Sequence, residues 1–162
     1  MIEIKVYGSE ESARRIRKFA RAMSPESRAI ANRQAGVQLH SDVIRTFQAQ
    51  GATFGRSRWA ALKAGGRYVN TKAKGKTRRF QTHYKILQDT GALRQSFVSL
   101  YDSSLAGVGA VSAKEHADLA AAHQFGVPSR NLPARPMLPT EERAMEVVSL
   151  VYRRMIEKAA QP

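Results

Sequence analysis

The sequence predicts an α+β fold in which a small antiparallel sheet is packed by two long amino-terminal helices and a carboxy-terminal helix. Apolar residues recur at helical spacing in both arms of the chain and alternate with a period of two in short stretches. A long basic segment separates the arms. With 162 residues, 43% of them hydrophobic, the chain can bury one sizeable core. We therefore predict a single domain over residues 1–162, with a basic loop or hairpin insertion at about 52–86.

The amino-terminal arm is predicted to contain one strand and two helices. Residues 2–7 alternate between apolar and polar side chains, which is typical of a strand with one buried face. A basic amphipathic helix begins near Ser9, and Ser24 caps a second helix that Gly51 ends. The buried stripe predicted for this second helix consists of Ala35, Leu39, Val43 and Phe47.

A short helix, a hairpin and a third helix are predicted after the insert. Asp89 and Thr90 offer an N-cap to the short helix. Residues 97–101 and 105–111 pair as a β-hairpin, and the uncharged second strand predicts burial on both faces or packing under a helix. Residues 114–124 are rich in alanine and predict a helix that ends at Gly126.

The carboxy-terminal arm combines a stiff segment with a last helix. Residues 132–139 contain three prolines, which restrict this segment to an extended path. Thr140, followed by two glutamates, caps the last helix. The residues predicted to face inward are Met145, Val148, Tyr152 and Met155.

The basic insert is the strongest functional signal. Residues 51–88 contain ten basic side chains and no Asp or Glu, so they supply +10 of the net +14 charge. Like charges oppose collapse, so we expect the insert to be mobile in the free subunit and ordered by a polyanionic partner. That partner is either nucleic acid or an acidic protein surface. The predicted contact residues are Arg56, Arg58, Lys63, Arg67, Lys72, Lys74, Lys76, Arg78, Arg79 and Lys85.

Catalysis and metal binding find little support in the sequence. There is no cysteine, and none of the serines lies in a recognisable nucleophile elbow. His116 and His123 are two helical turns apart, too far to share a metal without a third ligand. We predict no enzymatic activity, no metal and no cofactor. The amino terminus has no signal-peptide pattern and no run of eighteen apolar residues occurs, so export by a signal peptide and membrane insertion are not expected.

Four residues are predicted to anchor the fold or the assembly. Trp59, the only tryptophan, is interpreted as pinning the start of the insert to the core rather than contacting a partner. Arg135 lies between Pro133 and Pro136, and a stiff segment suits a bidentate pair with a carboxylate. Asp89 of the same subunit is a candidate for that carboxylate, as is an acid of the next subunit. Arg94, on the short helix, completes the set.

Four motifs together resemble a known family. In order along the chain they are Trp59 with Leu62 and Lys63, then ILQDTGALRQSF (86–97), HQFG (123–126) and LPARPML (132–138). Their order and spacing are similar to those of the virion-morphogenesis or tail-completion family of Mu-like and related tailed phages. The resemblance extends from about Ser24 to the end of the chain, whereas the length and alkalinity of residues 65–82 depart from the family pattern.

The resemblance implies a small structural protein of the virion neck or tail end, assembled in the host cytoplasm. Such a protein completes the tail or joins it to the head, commonly as a ring around the DNA path, and tail symmetry suggests a hexamer. Its implied partners are further copies of itself, neighbouring neck, connector or tail proteins, and genomic DNA in the channel. The alternative, based on charge alone, is a small basic nucleic-acid-binding or packaging protein. The residues leave open whether the protein belongs to the head side or the tail side of the joint.

Overall fold

The computed structural model describes residues 9–60, 67–70, 78–81, 86–87, 91–111 and 114–161. The predicted α+β class is confirmed, whereas the strand predicted over residues 2–7 lies outside the described residues. In chain order the elements are α1 (Ser9–Ala22), α2 (Pro25–Gln48), β1 (Arg67–Asn70), β2 (Arg78–Gln81), α3 (Ala92–Gln95), β3 (Phe97–Tyr101), β4 (Ala106–Ala110), α4 (Lys114–Phe125), a 3-10 turn (Pro128–Arg130) and α5 (Glu141–Ala160).

Helix α2 is the centre of the fold. It begins at Pro25, and the Ser24 hydroxyl caps it by accepting a hydrogen bond from the Ser27 N–H at 3.3 Å. The predicted stripe along the helix is buried throughout, with no member more than 3% exposed. Its amino-terminal half packs with Val147 of α5, and its carboxy-terminal half packs with Trp59, Phe97 and residues of the proline-rich segment.

The β3–β4 hairpin packs against α2. Its strands are antiparallel, with Phe97 opposite Ala110 and Tyr101 opposite Ala106. The helix approaches closely at Gly36, where a Cβ would lie 3.2 Å from the Gly107 carbonyl oxygen. Strand β4 is half-buried along its whole length. Of the two alternatives predicted for this strand, packing under a helix is confirmed, because β4 packs against α2. Burial on both faces is not found, since a two-stranded hairpin that packs one face on a helix keeps its other face more open.

Two helix predictions also need correction. Thr140 does cap α5, accepting a hydrogen bond from the Arg143 N–H at 3.2 Å, but Met145 is 61% exposed rather than inward. The buried residue is Val147, and two positions along a helix lie about 200° apart around its axis. At α3, the N-cap position is occupied by Gly91 with a φ of 76°, rather than by Asp89 or Thr90, which lie outside the described residues.

The insert contains a hairpin of its own. Strands β1 and β2 pair antiparallel, with Arg67 opposite Gln81 and Asn70 opposite Arg78. The sequence left a loop and a hairpin open as alternatives for this segment, and the structure has the hairpin. The two hairpins of the described chain form separate two-stranded sheets.

Candidate assembly site at the base of the basic insert

Gln50 connects both ends of the basic insert. Its carbonyl oxygen accepts a hydrogen bond from the Trp59 N–H at 2.7 Å, and its side-chain Oε1 accepts one from the Ile86 N–H at 2.6 Å. The side-chain Nε2 donates to the Phe47 carbonyl oxygen at 2.8 Å, which fixes the amide in place. The chain therefore departs into the insert and returns from it beside one residue, which closes the base of the insert.

Trp59 fixes the departing end of the insert. Its side chain is 7% exposed and meets the Phe47 ring edge-on, with ring centroids 5.6 Å apart. The indole Nε1 donates to the Pro136 carbonyl oxygen at 3.1 Å. Gly51 makes this placement possible, because it has a φ of 89° and a Cβ there would lie 2.6 Å from Trp59 Nε1. The tryptophan thus ties α2, the insert and the proline-rich segment together.

Side chains satisfy the backbone of the proline-rich segment. The Gln124 Oε1 accepts hydrogen bonds from the N–H groups of Met137 and Leu138, at 2.7 and 3.1 Å. Arg56 Nη1 donates to the Leu138 carbonyl oxygen at 2.7 Å. A segment this rich in proline lacks the donors for a regular ladder, so these side chains replace one. Arg56, predicted as a partner contact, is half-buried and serves the base of the insert in this way.

Arg135 of the proline-rich segment contacts His123 near the end of α4. Arg135 is 5% exposed, and its backbone N–H donates to the His123 carbonyl oxygen at 2.6 Å. Burial lowers the pKa of Arg135; burial and then the positive charge of Arg135 lower the pKa of His123. Within the described part of the chain, Arg135 Nε and His123 Nδ1 are buried without a hydrogen-bond partner. Asp89, the carboxylate considered for Arg135, lies outside that part.

A buried ion pair that the sequence analysis missed joins α2 to α5. The Asp42 side chain is 0% exposed, and Arg143 Nε donates to its Oδ2 at 2.9 Å. Arg143 also donates to Glu146 Oε2 at 2.9 Å, and these two carboxylates raise the pKa of Arg143. A signal was present, because Asp42 follows Leu39 by three positions and Ala35 by seven, which places it on the face of the buried stripe, and a charge at such a position requires a partner.

The remaining predicted contact and anchor residues are placed as follows. Arg58 is exposed, and Arg94 is half-buried on α3. Arg67 belongs to β1, whereas Arg78 and Arg79 belong to β2. The predicted contacts that lie outside the described residues are Lys63, Lys72, Lys74, Lys76 and Lys85. The contact roles of the ten basic residues stay predictions.

The part of the chain that the structure describes has neither a metal-ligand cluster nor a membrane-spanning helix. It contains no group of three or more His, Cys, Asp or Glu residues arranged to hold a metal ion. None of its helices combines the length and the apolar character that a bilayer crossing requires. The site consists instead of packing and hydrogen bonds around the ends of the basic insert.

The chain belongs to the phage virion morphogenesis family, whose model matches residues 10–157 of the 162. This confirms the resemblance seen in the four motifs, and it gives the protein a structural or assembly role in the bacteriophage virion. No curated protein and no solved structure matches the chain. Described residues from three of the motifs, Trp59, Gln124 and Pro136, meet at the base of the insert.

Proposed function

We propose that this protein completes the tail, or joins the tail to the head at the phage neck, as a ring of identical copies around the DNA path. By analogy with tail symmetry the ring is a hexamer. One observation carries the proposal: in a member of a virion morphogenesis family, a segment with ten basic residues and no acid is closed at its base on a rigid core.

The base of the insert gives this segment a fixed origin. Gln50 and Trp59 hold its ends to α2, and Trp59 and Arg56 hold the same region to the proline-rich segment. Every copy in a ring would therefore present its insert in the same direction. The inserts would concentrate tens of positive charges in one zone, which suits contact with a polyanionic surface.

We infer that this surface is an acidic neighbouring virion protein. A channel lined with so many uncompensated cations would bind phosphates strongly and hinder a genome that must slide through it. Contact with an acidic neighbouring protein would instead pair the positive charges of the insert in an interface that does not need to slide. The charge of +14 supports a second candidate, a small nucleic-acid-binding or packaging protein. That candidate predicts a small species whose DNA affinity falls steeply with salt.

The experiment neutralises the charge of the insert. Glutamine replaces Lys72, Lys74, Lys76, Arg78 and Arg79 together, in a phage that lacks its own copy of the gene. We expect a folded subunit, shown by circular dichroism and Trp59 fluorescence, that fails to join heads to tails. A control variant carries glutamine at Arg33, Arg130 and Arg154, three exposed positions outside the insert, and joins normally.

Two results would count against the proposal. Normal joining with defective DNA retention or ejection would transfer the insert to the DNA channel. Normal joining with normal DNA retention would remove the insert from either role.

A further inference from the structure

An open groove with basic and apolar walls lies between α1 and the carboxy-terminal half of α5. Its volume is about 730 Å³, and its lining includes Arg14, Lys18 and Phe19 of α1 and Ile156 of α5. Phe19 is 50% exposed and Ile156 39% exposed, so the apolar part of the groove is accessible in this subunit.

The charge of the groove is positive. Glu11 is neutralised by Arg15 one turn further along α1, and among the described residues Lys18 Nζ donates only to the Gln161 backbone carbonyl, at 3.0 Å. Arg14 has no ion pair among the residues that the structure describes. Two cations are therefore available beside an apolar floor. An occupant that matches the groove must present carboxylates next to apolar side chains.

The first half of α5 carries a surface of that composition. Glu141 and Glu142 are exposed in its first turn, and Met145, which is 61% exposed, lies one turn further along within the same arc of about 100° around the helix axis. Of the cations nearby, Arg143 is already paired with two carboxylates. Hydrogen bonds from its own backbone N–H and from Thr140, and to a lesser extent the charge of Arg56, lower the pKa of Glu142. The glutamates still outnumber the free positive charge. We call these three exposed residues, Glu141, Glu142 and Met145, the acidic α5 patch.

We propose that the acidic α5 patch of one copy docks into the α1–α5 groove of a second copy. This inference rests on the homo-oligomer in the proposed function and names the contact that builds it. The glutamates would face Arg14 and Lys18, while Met145 would cover Phe19 and Ile156. Such a contact buries apolar area on both copies, and it pairs charges that are exposed in the single subunit.

Docking within one copy is excluded by the length of the helix. The patch begins at the first residue of α5 and the groove is at its other end, and a helix of 20 residues is about 30 Å long. Each copy therefore has one patch to offer and one groove to fill. A contact between two different surfaces of identical subunits is heterologous, and a heterologous contact closes into a ring when its rotation permits.

Charge reversal tests the contact. One variant carries Glu141→Lys with Glu142→Lys, and a second carries Arg14→Glu with Lys18→Glu. Each variant alone should weaken self-association roughly tenfold or more, as measured by sedimentation equilibrium, because like charges would then face each other. Asp118→Lys, an exposed acid on α4, is the control and should associate like the unaltered chain.

Mixing the two reversed variants gives the decisive result. The lysine patch of the first fits the glutamate groove of the second, and the normal patch of the second fits the normal groove of the first, so we expect association to return. The inference is overturned if the unaltered chain stays monomeric, or if mixing restores nothing. It is also overturned if groove reversal blocks joining to the virion but leaves self-association unchanged, since the groove would then belong to a different partner.

The outcome separates this contact from the proposed function. If the reversals leave association unchanged while neutralising the insert still blocks head–tail joining, the docking contact is wrong and the joining role stands. If the reversed pair restores association but the insert variant joins normally, the contact stands and the role proposed for the insert is wrong.

Discussion

Replacing Arg143 with methionine removes the guanidinium that compensates a fully buried carboxylate. Arg143 Nε lies 2.9 Å from Asp42 Oδ2, and its side chain is 23% exposed. Methionine keeps much of the apolar stem of the arginine, so the change removes the charge and its hydrogen bonds more than the packing. The other cation near Asp42 is Arg45, whose Nη1 is 3.8 Å from Oδ1 and whose side chain is largely exposed.

The expected cost follows from this geometry. Breaking a buried ion pair by removing one partner costs about 3–5 kcal/mol, because the remaining charge is buried without compensation. Arg45 compensates part of that charge, so we expect the lower end, about 3 kcal/mol. Changing both partners, in Asp42→Leu with Arg143→Met, should cost much less than the sum of the two single changes, because no charge then remains buried.

Urea unfolding at neutral pH, followed by the fluorescence of Trp59, measures these free energies. Trp59 is the only tryptophan and is buried, so its emission reports the core. Arg154→Met, an exposed position on the same helix, is the control and should change stability by less than about 0.5 kcal/mol. The reasoning is refuted if Arg143→Met costs less than about 1 kcal/mol, or if the double variant loses the full sum.

Three further predictions concern the base of the insert. Gly51→Ala should lower the free energy of unfolding in urea by about 3 kcal/mol or more, because its Cβ would collide with Trp59 and the backbone has a positive φ. Gly55→Ala, also at positive φ but in open space, should cost only about 1 kcal/mol. Equal costs for the two variants would contradict this. The pKa of His123 is lowered from 6.5 in the fold, so the unfolded chain binds more protons and the free energy of unfolding should fall as the pH drops below about 6.5. His123→Gln should flatten this dependence of stability on pH. An unchanged dependence in the variant would mean that another group causes it. Arg135→Ala should lower the free energy of unfolding by about 2 kcal/mol, or reduce ring formation, while DNA affinity in a filter-binding assay stays unchanged; normal assembly with loss of DNA binding alone would contradict its role as an anchor.

The buried face of α2 and two helix starts could be predicted from short sequence patterns. The four-residue spacing of the stripe from Ala35 to Phe47 placed the buried face of α2 correctly, and the residues around Ser24 and Thr140 placed two helix starts. The predicted inward face of α5 was partly wrong, because apolar residues occur on several sides of this helix. Which of them is buried depends on the position of α2, and that information is not local to α5.

The candidate site was predicted only in part, because Gln50 and Gln124 were not foreseen and Arg56 was predicted as a partner contact. Trp59 and the proline-rich segment were recognised as anchors, yet the role of Gln50 depends on a hydrogen bond to Ile86, thirty-six positions further along the chain. No sequence pattern around a glutamine at the end of a helix predicts such a hydrogen bond. Asp42 and Arg143 are 101 positions apart, so their pairing likewise required the packed fold.

The proposed ring of copies at the junction of head and tail would be visible in the virion itself. Electron cryomicroscopy of the whole virion, compared with a virion that carries an enlarged tag at the carboxy terminus of the chain, would show it. We expect extra density at the neck or tail end that repeats around the DNA path, with sixfold symmetry. Density for one copy, for an open chain of copies, or away from that junction would contradict the claim.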